Sequence, residues 1–92
     1  SLKINAAKYI GDSQVLLLEL ENVSNAKMLL DNESTYSFHA HSDIVEIPAK
    51  GKVNLEVKTL ERKEETLLKF QVLNGITAPN QHPSIELKIK IE

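Results

Sequence analysis

The stretch Ser84-Ile85-Glu86-Leu87-Lys88-Ile89-Lys90-Ile91-Glu92 decides how the rest of the chain is read. Its apolar residues, Ile85, Leu87, Ile89 and Ile91, alternate with Glu86, Lys88 and Lys90. On a helix, residues two apart sit about 200° apart, so these four would be split between opposite faces. On a strand they line one face. The stretch is a strand, half buried and half wet.

Working outward, the same test succeeds repeatedly. Leu68, Phe70 and Val72 alternate with Lys69 and Gln71, and Val53, Leu55 and Val57 with Asn54, Glu56 and Lys58. Leu16, Leu18 and Leu20 alternate with Leu17, Glu19 and Glu21, and Tyr36, Phe38 and Ala40 with Ser37, His39 and His41. Leu2, Ile4 and Ala6 alternate more weakly. Turn chemistry separates these runs: Gly11-Asp12-Ser13, Asn22–Asn25 as a hairpin corner into Ala26–Leu30, Asp31–Ser34, Pro48 to Gly51 after Ile44–Ile47, the charged Glu61–Glu65, and the long irregular Asn74–Pro83. One ambiguity stands, because Leu60, Glu64, Leu67 and Leu68 are also spaced for a helical turn over 61–69. Seven or eight short strands at this spacing predict an all-β, antiparallel sandwich or barrel. The predicted core is Leu2, Ile4, Leu16, Leu18, Leu20, Phe38, Val53, Leu55, Val57, Leu68, Phe70, Val72, Ile85, Leu87 and Ile89. Lys, His and Pro are expected to guard the sheet edges.

Composition bounds the rest. The chain has 92 residues, room for one core and not two. It has no cysteine, which excludes disulfides, thiolate metal sites and cysteine nucleophiles. The net charge is −2 with Lys and Glu interleaved, a surface that attracts neither phosphate backbones nor anionic lipid. Nucleic acid and membrane are therefore not expected partners. The longest apolar run, Val15–Leu18, is far too short to cross a bilayer. The chain opens at Ser1 directly on a strand pattern, without an initiator Met or a targeting stretch. The expectation is a domain excised from a longer polypeptide, a processed precursor being the alternative.

Three stretches carry a family resemblance: Leu18–Asn25, where a strand ends in an Asn-x-Ser corner; Val45–Val53, a short strand, a Pro/Gly corner and a new strand; and Phe70–Asn74 with Thr77-Ala78-Pro79 and the terminal strand. Together they resemble bacterial immunoglobulin-like accessory domains at the C-terminal end of exported hydrolases. They are similar in particular to tail domains of phosphodiesterases of the polymerase-and-histidinol-phosphatase type. The resemblance implies an immunoglobulin-like β-sandwich, a periplasmic or extracellular location and a non-catalytic role beside a larger enzyme. No catalytic residue of such an enzyme maps onto this chain.

The remaining constellations are read against plainer alternatives. His39-x-His41-x-Asp43 would place two imidazoles and a carboxylate on one strand face, which is incomplete as a metal site without a further ligand, and His82 is the one other histidine. A wet strand face is the better reading, and no metal or cofactor is expected. Ser, His and Asp are all present, but there is no Gly-x-Ser-x-Gly elbow, and the carboxylates interleave with Lys instead of pairing across a cleft. No enzyme is expected. Glycan binding, the alternative function, usually needs flat aromatic platforms. The chain has no Trp, and Phe38 and Phe70 fall on core parity, leaving Tyr9 and Tyr36. Asn22-Val23-Ser24 and Asn32-Glu33-Ser34 match the glycosylation sequon but read as turn residues.

The sharper signal is apolar residues off the core parity. Val15 and Leu17 share a face with Glu19 and Glu21, Leu67 and Leu73 share one with Lys69 and Gln71, and Leu29 and Leu30 must point oppositely. Burying a leucine fully contributes about 1.5–3 kcal/mol, so outward leucines on neighbouring strands would form a ready contact surface. Strand ends tucked under loops, or a bulge that shifts parity, are the plainer explanation. The interface candidates are Leu17, Leu67, Leu73, Asn74, Thr77, Pro79 and His82, the last four in the Pro-stiffened loop 74–83. The expected partner is a neighbouring domain of the same polypeptide, the isolated domain being a monomer.

Overall fold

Alternation of the kind seen in 84–92 runs through the computed structural model, which describes residues 1–34, 36–39, 42–75 and 81–92. Eight strands are present among them: β1 (Leu2–Tyr9), β2 (Val15–Asn22), β3 (Met28–Asn32), β4 (Ser37–His39), β5 (Ile44–Ile47), β6 (Lys52–Lys58), β7 (Glu65–Val72) and β8 (Ser84–Lys90). They form two antiparallel sheets, β1-β2-β6-β4 and β5-β3-β7-β8. The arrangement is the immunoglobulin-like sandwich, with β5 as an added edge strand beside β3.

Each inner face follows from the period of two. Leu16, Leu18 and Leu20 of β2 face Leu68 and Phe70 of β7 across a seam completed by Leu30, Val45, Ile47, Leu55, Val57 and Ile89. Every residue of the expected core lies in this cluster or packs half-buried against it, Leu2, Ile4, Val53, Ile85 and Leu87 being the half-buried ones. Phe38 of β4 reaches from one sheet to Phe70 of the other, with ring centroids 6.0 Å apart.

The structure differs from the sequence reading in several places. The β1–β2 register shifts between Ile4 and Ala6, so Ala7, not Ala6, takes the buried position. A bulge of this kind inverts parity for every residue beyond it. Residues 65–72 are strand β7, which removes the helical alternative over 61–69. The corner after Asn22 is not a hairpin, because β2 and β3 belong to different sheets. Asp31 and Asn32 end strand β3 instead of forming part of a corner.

The middle of the chain is the unusual part of the topology. β3 and β5 pair in register from Met28↔Ile47 to Asp31↔Ile44, and the Asn32 N–H continues that ladder to the Asp43 carbonyl at 2.9 Å. Between them the chain crosses to the other sheet, where β4 pairs with β6 through Phe38↔Val57. A hairpin of one sheet thus lends its connecting segment to the edge of the other.

Candidate functional site

At one end of the sandwich, asparagine amides replace backbone in the ladders. Asn74 accepts the Leu29 N–H through Oδ1 at 3.1 Å and donates from Nδ2 to the Lys27 carbonyl at 2.7 Å. Its side chain therefore continues the β3–β7 pairing beyond Leu73, whose own N–H donates to Leu29 at 2.7 Å. Leu30 and Val72 point inward, so Leu29 and Leu73, directly opposite one another, both stand half-buried on the outer face. Glu46 lies beside Leu29 on β5 and meets Lys27 at 3.6 Å. His82 closes the same corner, its Nδ1 lying 3.0 Å from the Gly75 carbonyl. Gly75 fits closely there: a Cβ would stand 3.1 Å from the Pro83 ring and 3.3 Å from Val72, so a side chain would push on both. Leu73, Asn74 and His82 are thus brought together with Leu29, while Thr77 and Pro79 lie outside the described residues.

Leu17 and Leu67 are not part of this cluster. Leu17 sits half-buried on the outer face of the opposite sheet, between Lys8 and Glu56. Leu67 is 51% exposed beside Lys88, and six residues of strand, about 20 Å, separate it from Leu73. The outward leucines form one adjacent pair and two separate points, not a continuous surface. Leu29, left open by the sequence between inward and outward, is the residue that completes the pair. The registers of β3 with β5 and with β7 decide it.

The same end holds Asn22, fully buried at the end of the inward stripe of β2. Its Nδ2 donates to the carbonyls of Ala26, Ile47 and Pro48 at 2.8, 3.2 and 3.1 Å, and its Oδ1 accepts from the Ser24 N–H and hydroxyl. Asn32 does likewise for the crossing segment, donating to the Tyr36 carbonyl at 2.9 Å and accepting the Ser34 N–H. Both Asn-x-Ser sequences are therefore turns in which the asparagine oxygen takes the N–H two residues on.

The opposite end carries two open grooves. One, of about 590 Å³, is lined by Tyr36, Lys63, Glu65, Thr66, Leu67, Lys69 and Lys88 among others. The second, of about 650 Å³, runs past Tyr9, Arg62, Glu64, Lys90 and Glu92. Both mix cations and carboxylates closely, and the Thr66 hydroxyl, buried beside the first, has no hydrogen-bond partner among the described residues. The tyrosines that a sugar platform would use are engaged. Arg62 stacks over the Tyr9 ring at 4.5 Å, the Tyr9 hydroxyl accepts the Lys63 N–H at 2.7 Å, and Tyr36 packs against the core.

Among the described residues, no three His, Asp or Glu side chains gather as ion ligands. His39 is exposed opposite Glu56, the Asp43 carboxylate accepts from Asn32 at 3.3 Å, and His41 lies outside the described residues. No helix among the described residues is long and apolar enough to cross a membrane. The Glu21 carboxyl is held below the usual range by the Asn5 amide, which donates to it at 2.9 Å. In comparison with known proteins, a family model described as an Ig-like domain matches residues 2–88. No curated protein matches the chain.

Proposed function

We propose, from the premise that the chain belongs to the Ig-like domain family, that it is a non-catalytic module packed against a neighbouring domain of one polypeptide. The observation that carries this is the Leu29–Leu73 pair. Two leucines stand side by side on an outer sheet face, at a corner that Asn74, Gly75 and His82 hold in one shape. A rigid corner presenting an apolar pair binds without first losing conformational freedom. Attachment to an exported bacterial hydrolase, with a periplasmic or extracellular location, is the form of this proposal that the sequence resemblance favours.

The test compares Leu29→Ser and Leu73→Ser with Leu30→Ser. The outward substitutions should each cost less than about 1 kcal/mol in the isolated domain, and the buried one several. In the full polypeptide, amides around Leu29 and Leu73 should exchange more slowly than in the isolated domain. Equal exchange in both would overturn the docking role, and loss of folding in both outward variants would make the pair structural.

A further inference from the structure

β8 is an edge strand whose open side is met by β1 just past its end, where the Glu92 N–H donates to the Ala7 carbonyl at 2.9 Å, and along 84–90 that side has a definite hydrogen-bonding phase. The Val72 N–H donates to the Pro83 carbonyl and the Ile91 N–H to the Glu64 carbonyl, each at 2.8 Å. Both fall on the register that pairs Gln71 with Ser84 and Glu65 with Lys90. In an antiparallel ladder, residues that exchange hydrogen bonds alternate with residues that do not. Ile85, Leu87 and Ile89 therefore turn their backbone groups to β7, whereas Ser84, Glu86, Lys88 and Lys90 turn theirs to the open side. The other edges are poorer templates. β1 is broken by its register shift, and β4 and β5 are only three and four residues long. β8 runs unbroken for seven.

We propose that β8 pairs with β8 of a second copy of this chain, antiparallel about a two-fold axis between the two Leu87 residues. Two four-stranded sheets then become one of eight. Charge selects both the partner and the register. With Leu87 opposite its counterpart, Glu86 of each copy lies opposite Lys88 of the other, and Ser84 opposite Lys90. Both are pairs of residues whose backbone groups turn to the open side, so the phase derived above is satisfied. Sliding by one allowed step in either direction places Glu86 opposite itself or Lys88 opposite itself. Like charges directly opposite oppose pairing, and lysines on an edge ordinarily prevent strand addition. Of the three registers, the one centred on Leu87 alone brings no like charges directly opposite. The Leu87 residues, half-buried in each copy, meet at the closer, non-hydrogen-bonded spacing and cover one another. Lys88 already meets Glu65 of β7 at 3.1 Å, but both side chains are largely in water, which leaves the ammonium open to a second carboxylate.

This surface is separate from the Leu29–Leu73 corner, and it departs from the monomer that the sequence suggests. Sedimentation of the 92-residue chain tests it. The mean mass should rise from that of the 10.3 kDa chain towards twice that value as concentration climbs into the millimolar range. Glu86→Lys alone and Lys88→Glu alone should each stay monomeric. An equimolar mixture of the two variants, and the double variant Glu86→Lys/Lys88→Glu, should both regain the dimer. Circular dichroism confirms that each remains folded. In the dimer, the Glu86 and Lys88 amides should become protected from exchange, whereas those of Leu87 and Ile89 are protected at every concentration. A wild-type chain that stays monomeric throughout would overturn the proposal. So would a dimer that survives both single reversals, or one whose Glu86 and Lys88 amides still exchange freely.

Discussion

The two ends of the sandwich are held by different chemistry. At one, Asn22 lies wholly out of water and joins the β2–β3 crossing to the carbonyls that end β5. At the other, Arg62 lies in water, donating to the carbonyls of Gly11 and Ser13 at 2.9 and 2.7 Å while stacking on Tyr9. Both tie a connection between sheets to a neighbouring turn, and both use a side chain on backbone oxygens. The difference is what replaces the side chain when it is removed. Water reaches the carbonyls that Arg62 serves. Asn22 is itself wholly buried, so its removal leaves a hole and takes three carbonyl contacts from the packed corner, although Ser24 and Gly51 still donate to the Ala26 and Pro48 carbonyls. The comparison teaches that burial, more than the number of hydrogen bonds, decides what a turn-binding side chain contributes.

The largest expected effect comes from Asn22→Ala, which removes a wholly buried amide and its hydrogen bonds, worth about 0.5–1.5 kcal/mol each, and should cost about 2–3 kcal/mol. Urea denaturation should show a lower midpoint with an unchanged slope. Arg62→Ala should cost under about 1 kcal/mol, the scale of an exposed cation–aromatic contact. If the two losses proved equal, burial would not be the deciding variable. The smallest effect sharpens the same comparison with an amide in water. Asn5 donates to Glu19 and Glu21 at 3.0 and 2.9 Å on the wet face of β1 and β2. Its amide is the main cause of the lowered Glu21 pKa, ahead of the fields of Lys52, Lys3 and Lys50. A carboxyl lowered on folding stabilises the native state above its unfolded pKa, and that contribution fades as pH falls through the folded value. Asn5→Ala should therefore move Glu21 back up towards an ordinary glutamate in a carboxyl NMR titration. Any stability difference from the wild type should be present near neutral pH and vanish in acid. An unmoved Glu21 would assign the shift to the lysines instead.

Most of the fold was legible because β2, β6, β7 and β8 alternate cleanly, and all the residues read as core from them are in or against it. The short strands were less legible. Residues 28–30 are Met-Leu-Leu, and Ile44, Val45 and Ile47 fill three of four positions, so neither run states its own parity. The register Leu30↔Val45 and Met28↔Ile47 decides which residues are buried. Asn22 sits at an inward position by count, but its polarity marks a corner, and both readings turn out to hold. The candidate site was legible only in part. Leu73, Asn74 and His82 converge because Asn74 completes the β3 ladder, a contact 45 residues long in sequence. Nothing local to Leu17 or Leu67 says that they stand on opposite sheets.

The placement of β4 on the sheet opposite β3 and β5 has a consequence for how the molecule comes apart. Because β4 lies in sequence between β3 and β5, the edge of one sheet is tied to the pairing of two strands in the other. A half-assembled intermediate would lack an edge on one side and leave Phe38 without Phe70 on the other. Unfolding is accordingly expected as one cooperative event, and assembly should await the remote β2–β6 union, placing its rate among the slower small domains.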